Sequence, residues 1–457
     1  MWQAAVAQLC EQGGIPGAVV AVGGGGEVAD RAVYGVCDLG SGTPVTSKTA
    51  FGVASVSKSF TAAAIMQLAA SGALSLDQPV KDHIPEIVDL PVLHGADVRV
   101  RDLLSHVAGL PPLATRFSVL SGGGDAQAPR RPDWVADAPA RISSRAHLFE
   151  YWRSLREVEP LGVPGDVFSY SNEGYVLLGI LVERLSGMRL ADYVQTRIFA
   201  PLGMTRSAYN RSSYVAADAW AVYHTAQTGD PSASGCVRAP ARYYEPLWHS
   251  AGGVHATADD LVRYLRLYES SGSEHGERVL SSDDAQQMLT PNTESTLPGV
   301  EYGAGFWVGY VDGERFVYHG GSGKGISAYV CLFPDSGRSC AVVANVSGAR
   351  VEQMAATAMR GHFGVDISEV HKAWRARLPG GAVRPDYRGV FRSDEGVSLS
   401  INGDEVIVSG DPAQVTSADP SGLVIRSRRG DDFIGYPTAF KPGAAVTFGG
   451  RVLRNVG

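Results

Sequence analysis

The period of the apolar positions changes along the chain, and the changes divide it into pieces. Met1 to Gln12 has the pattern of an amphipathic helix. Gly17 to Val22 and Val28 to Cys37 then read as two strands joined by Gly23-Gly24-Gly25-Gly26, whose glycines permit a tight turn. No Gly-Lys-Ser/Thr follows those glycines and no helix opens on them, so a phosphate loop is not expected. A short apolar run ends at Ser55, where a segment rich in Ala, Ile, Met and Leu begins and continues to Gly72, a residue suited to stopping a helix. From Ser55 to about residue 300 the pattern is mostly helical. Strand signals return at Gly305 to Val311, Arg315 to His319, Ile326 to Phe333 and Arg338 to Val346. A closing helix follows, with Val351, Met354, Ala355, Ala358 and Met359 on one face. This order implies an α/β (α+β) fold: an antiparallel sheet built from both ends of the domain, with a long helical insertion between its halves.

Two stretches break the regularity. Leu110 to about Arg145 holds Pro111-Pro112, Gly122-Gly123-Gly124 and Pro129-Arg130-Arg131-Pro132, and reads as a long loop, functional or disordered, that would act as a lid if it lies over the pocket. Leu378 to Pro385 is a composition break that reads as a linker. Beyond it Val397 to Ile401 alternates, Asn402-Gly403 supplies a hairpin turn and Val406-Ile407-Val408 returns. The expected organisation is a catalytic domain over 1–377 and a small antiparallel β-barrel over 386–457.

Composition narrows the function. A chain of 457 residues with 44% hydrophobic and 19% charged residues is long and apolar enough for a large core, as in a globular enzyme. The net charge of -7 is dispersed without a basic stripe, so nucleic acid is not an expected partner. Cysteines 10, 37, 236, 331 and 340 are odd in number and lack paired metal spacing, so neither a disulfide framework nor a metal site is expected, and no cofactor is called for. The first residues lack the basic start and long apolar centre of a signal peptide, and no window approaches a membrane span; the expectation is a cytoplasmic protein without a membrane partner.

The chemistry starts at Ser55 and Lys58. Positions i and i+3 share one face of a helix, so the Lys58 amine can reach back beside the Ser55 hydroxyl as a base beside a nucleophile. A lysine does this work when its pKa is lowered, and burial and the positive end of the helix dipole both push that way. Taken alone, a serine at a helix start is an ordinary cap and a lysine one turn in an ordinary surface residue. Here lysine is scarce, only Lys58 has a serine three residues before it, and its flanks are apolar, so it is expected to be at least half buried. Candidate partners lie in two further stretches. Tyr170 and Asn172 stand on a loop before the apolar helix that starts at Tyr175, where the ordinary explanation is a core tyrosine and a helix cap. His319 ends a strand ahead of Gly320-Gly321-Ser322-Gly323, a glycine-rich turn where backbone N–H groups can approach a substrate. A rival His362-Phe363-Gly364 has no strand leading into it.

Ser55-x-x-Lys58, Tyr170-x-Asn172 and His319-x-Gly321, in this order, resemble the three motifs of the serine β-lactamase and penicillin-binding-protein-like family. Its members include class C β-lactamases, DD-peptidases, D-aminopeptidases, family VIII carboxylesterases and penicillin-binding-protein-type thioesterases. The likeness extends to Leu74 to Val80, Val100 to His106, Pro201 to Met204 and Ala251 to Val254, covering about residues 10 to 365. The C-terminal barrel is similar to the lipocalin-like domain of some members. The resemblance implies that Ser55 attacks the acyl carbon, that Lys58 and Tyr170 share the acid and base work, and that Asn172 holds Lys58 and a substrate amide. It further implies an oxyanion hole from the N–H groups of Ser55 and Ser322. Cationic neighbours, Lys58 and His319, are expected to favour a Tyr170 phenolate. Many β-lactamases carry lysine where this chain has His319, a departure that fits the peptidase, esterase and thioesterase branches better.

The function expected is a serine acyl-transfer hydrolase acting on a small amide, peptide or ester. A thioesterase that releases or macrocyclises a nonribosomal peptide with a D-residue at its carboxyl end, fed by a peptidyl carrier protein, is the first alternative. A sensor that is acylated once without turnover is the second.

Overall fold

The structure is a computed structural model of the chain. It describes residues 1–93, 97–111, 113, 142–156, 158, 160–209, 220–226, 236–238, 246–270, 278–291, 293–294, 301–370 and the strands between 389 and 455. Two compact units are distinguished: Met1–Ser75, Leu178–Pro291 and Tyr302–Val370 form the first, and Leu76–Leu177, Asn292–Glu301 and His371–Gly457 the second. The expected lid falls outside the described residues from 114 to 141, and so does the expected linker at 378–385.

The first unit is built on an antiparallel sheet. Its strands are β1 (Gly17–Gly24), β2 (Glu27–Asp38), β3 (Thr43–Pro44), β4 (Trp307–Val311), β5 (Glu314–Gly323), β6 (Ile326–Leu332) and β7 (Ser339–Ala344), side by side in the order β3-β2-β1-β7-β6-β5-β4. The two ends of the chain meet where β1 pairs with β7, Ala18 opposite Ala344 and Val22 opposite Cys340. Every residue of β6 and β7 is buried, as is β1 up to Gly23, so the centre of the sheet is covered on both faces. The β1–β2 turn places Gly25 and Gly26 at φ 61 and 72, the left-handed pair that a two-residue hairpin loop requires.

Helix α1 (Trp2–Gln12) and the closing helix (Val351–Phe363) pack together and on the sheet. The expected stripe of Val351, Met354, Ala355, Ala358 and Met359 is buried. The helices approach so closely at Gly361 that an added Cβ would lie 2.3 Å from the Trp2 Cβ. The rival histidine stretch is simply the end of this closing helix, capped by Gly364 at φ 74.

Strand boundaries differ from expectation in one important place. β5 does not end at His319 but continues through Gly323, pairing Gly321 with Ala328 and Ser322 with Ser327. The ladder to β6 continues past His319, so the glycines form strand and the turn falls at Lys324-Gly325, with Gly325 at φ 77.

In the second unit, eight strands from Gly389–Arg392 to Arg451–Asn455 pair antiparallel in chain order. The first also pairs with the last, Phe391 opposite Asn455. Among the described residues no helix is long and apolar enough to cross a membrane, and no cluster of His, Cys, Asp or Glu is arranged to hold a metal ion.

Candidate active site

Ser55 stands on a tight turn wedged between two parts of the first unit. Phe51 and Gly52 pair antiparallel with His255 and Ala256, and the Val53 N–H donates to the Val254 carbonyl at 3.0 Å. The chain then bends sharply: Ala54 has φ 44, a left-handed conformation costly for a residue with a Cβ. Residues Ala54–Val56 form a single 3-10 turn and the α-helix α2 begins at Ser57, not at Ser55 as the composition suggested. The strained backbone just before the nucleophile candidate was not legible, because Ala carries no signal for positive φ.

The opening turns of α2 are tied to one backbone segment. Ser57 Oγ accepts the Val254 N–H at 2.9 Å, and Thr61 Oγ1 donates to the Ser250 carbonyl at 2.9 Å. Between them Lys58, fully buried, directs Nζ to the Ala251 carbonyl at 2.9 Å and to Ser55 Oγ at 3.1 Å. The side chain is thus anchored at its tip, with the amine held on the serine. The expected proximity of the pair and the expected burial of Lys58 are both present, while Ser55 is partly exposed. The anchoring role of the Ala251 carbonyl was not foreseen, although Ala251-Gly252-Gly253-Val254 stood out as a stretch.

β5 runs beside this turn. An added Cβ on Gly321 would lie 2.1 Å from the Val53 carbonyl oxygen, so only glycine lets the strand approach the turn this closely. Gly320, one residue earlier, has nothing within 4 Å of the same position. Ser322 follows, with an exposed side chain; its backbone N–H is one of the two that the resemblance assigned to an oxyanion hole, the other being that of Ser55.

His319 is 2% exposed and both ring nitrogens are engaged. Nδ1 lies 2.6 Å from the Gly320 carbonyl, an acceptor only, so Nδ1 carries the proton; Nε2 then accepts from the Tyr302 hydroxyl at 3.1 Å. Burial, reinforced by nearby Lys58, pushes its pKa down to about 3. At neutral pH His319 is therefore an uncharged imidazole, which corrects the expectation that it helps as a cation to favour a Tyr170 phenolate. Tyr302, fully buried, had no signal in the sequence beyond being aromatic.

Tyr170 and Asn172 belong to another part of the chain, where they are 6% and 5% exposed. Asn172 is the first residue of α3 (Asn172–Ser186), and Ser171 Oγ accepts the Gly174 N–H at 3.1 Å, doing the capping work expected of the asparagine. His106 lies against this loop with its own φ at 59. Its carbonyl accepts the Ser169 N–H at 2.8 Å, its Nδ1 accepts the Ser171 N–H at 3.0 Å, and its ring is 4.2 Å from that of Tyr170. His106 was noticed only as the end of the Val100 to His106 stretch, with no role attached.

The comparisons with known proteins agree with this architecture. The family model described as Beta-lactamase matches residues 2–362. Penicillin-binding protein 4 of Amycolatopsis lactamdurans is 30% identical over 353 residues, which are 75% of this chain and 84% of that protein. Among solved structures, SurE is similar over 100% of this chain and 98% of its own, with a TM-score of 0.71 and 24% identity. A class C β-lactamase is similar over 78% of this chain and 94% of its own, with a TM-score of 0.60 and 20% identity. With a family match over most of its length and a relative at this identity, the chain belongs to the β-lactamase and penicillin-binding-protein family of serine acyl-transfer hydrolases.

Proposed function

We propose that this protein forms an acyl-enzyme at Ser55 on a small amide, peptide or ester and releases the acyl group to water. The observation that carries this reading is the buried Lys58 amine, anchored on the Ala251 carbonyl and held 3.1 Å from Ser55 Oγ. In the proposed cycle Ser55 Oγ bonds to the acyl carbon and its proton passes to the base formed by Lys58 and Tyr170. The tetrahedral oxyanion is received by the N–H groups of Ser55 and Ser322. As the adduct collapses, the bond to the leaving group breaks and the same proton is delivered to it. Water then repeats the sequence on the acyl-serine, and Asn172 presents its amide to the substrate. Neutral His319 gives a substrate carboxylate no cation to bind, which supports acyl donors that are uncharged at that position over peptides with a free carboxyl end.

A thioesterase that releases or cyclises a peptidyl thioester, with a peptidyl carrier protein as its donor partner, is a second reading. It is favoured by the full-length similarity to SurE, which has been solved with D-Leu, against the 78% coverage by the class C enzyme. In this reading residues 386–457 are a lipocalin-like module that forms part of the substrate surface. The test offers a peptidyl thioester with a free amino end and a D-residue at its carboxyl end beside a D-aminoacyl amide and a short-chain ester. Hydrolysis beyond one equivalent with linear acid as product supports the first reading, and a product lighter by one water supports the second. A burst of one equivalent with no further turnover contradicts both and makes the protein an acylated sensor.

A further inference from the structure

Tyr170 is flanked by two serines whose backbone N–H groups are both held by a single residue far away in sequence. His106 accepts the Ser169 N–H on its carbonyl at 2.8 Å and the Ser171 N–H on Nδ1 at 3.0 Å. Its ring lies 4.2 Å from the Tyr170 ring at 35°, and the rings of Tyr175 and Phe168 stand 5.0 and 5.9 Å from it. The Tyr175 hydroxyl in turn donates to the Leu104 carbonyl at 2.9 Å, so helix α3 and the end of the Val100–Leu104 helix are bound to each other around this histidine. His106 is 2% exposed and takes φ 59, a left-handed conformation uncommon outside glycine but more accessible to histidine than to most residues. At this φ the carbonyl and the ring of one residue face the same loop and hold the residues on either side of the tyrosine.

We infer that His106 is a positioning residue for Tyr170, fixing the phenol of the proposed acid and base through the backbone N–H groups of the two serines on either side of it. The inference rests on the proposed role of Tyr170. Nδ1 is an acceptor here, so the ring works as a neutral imidazole with its proton on Nε2. A side chain that kept the left-handed backbone and placed an acceptor near Nδ1 would preserve the clasp in part. Asparagine does both, since it tolerates this φ and its Oδ1 branches where Nδ1 does, whereas glycine allows the backbone and offers no acceptor.

The experiment compares His106→Gly and His106→Asn in the full chain, alone and in a Tyr170→Phe background, with steady-state turnover of a short-chain p-nitrophenyl ester and thermal melting of each variant. Displacing a reacting group by an ångström costs on the order of 100-fold, so His106→Gly is expected to lower kcat by about that factor with KM little changed. His106→Asn is expected to recover most of the loss, to within about 10-fold of the parent. In the Tyr170→Phe background, His106→Gly is expected to cost less than about 3-fold more, because residues acting as a unit are not additive. An equal cost in both backgrounds would show that His106 serves the fold and not Tyr170, and would overturn the inference. Normal turnover by Tyr170→Phe alone would overturn the role of Tyr170 and the inference with it, a result distinct from failure at His106 only.

Discussion

The turn that carries Ser55 and the loop that carries Tyr170 are held by different means. Around Ser55 the closest restraint is backbone against backbone, where Gly321 approaches the Val53 carbonyl, and the side chains of Ser57, Lys58 and Thr61 add ties to the main chain of residues 250–254. Around Tyr170 the restraint comes from His106, through its carbonyl, its ring nitrogen and its ring face. A backbone clasp fails when any Cβ intrudes, and tolerates nothing at the contact point. A side-chain clasp can be weakened by degrees and repaired by a substitute with the right acceptor.

The sharpest way to break the first region is Gly321→Val. Its Cβ would overlap the Val53 carbonyl, forcing strand and turn apart, and overpacking of this kind costs about 1–3 kcal/mol or more. Activity is expected to vanish and the melting temperature to fall, while Gly320→Ala, whose Cβ meets open space, leaves melting unchanged. Circular dichroism melts of the two variants side by side check this.

Removing the chemistry while leaving the clasp is expected to cost less. Lys58→Ala or Tyr170→Phe should each lower kcat on the order of 100-fold or more, the usual size of general base catalysis, as measured by ester turnover. Near-normal rates in Tyr170→Phe would mean the second region only supports the fold.

A smaller effect belongs to His319. An ordinary histidine titrates near 6.5, and in the folded protein this one is pushed down to about 3. Between those values the unfolded chain binds a proton that the folded chain does not. The stability contributed by this residue is therefore whole above about pH 6.5 and is lost as pH falls toward 3. Urea titrations are expected to show His319→Gln losing stability less steeply than the parent across that window. The same neutrality predicts no inflection from His319 in kcat/KM between pH 5 and 8.

The smallest effect on the chemistry is expected from removing the C-terminal strands. A chain ending near Leu378 should acylate at close to the parent rate while its preference among amide, ester and thioester changes, which progress curves with the three substrates would reveal.

Much of this was legible in the sequence, for identifiable reasons. The sheet built from both chain ends was readable because β1, β6 and β7 are uniform apolar runs set off by glycines. Lys58 was readable because scarcity and apolar flanks made a lysine conspicuous. The strand through His319 was misplaced because three glycines read as a turn, when one of them is glycine for close approach and the ladder continues. Tyr302, His106 and the Ala251 carbonyl were not assigned roles, since each acts through a contact with residues remote in sequence. Ala54 was hidden for a different reason: its strain is imposed by its surroundings and leaves no trace in its side chain.

The central claim is that Ser55 is the nucleophile, and the direct measurement is a mass spectrum after treatment with a fluorophosphonate. The account expects one adduct per chain, mapped to the peptide that contains Ser55 and absent from Ser55→Ala. Labelling that persists in Ser55→Ala, or that maps to another serine, would contradict it.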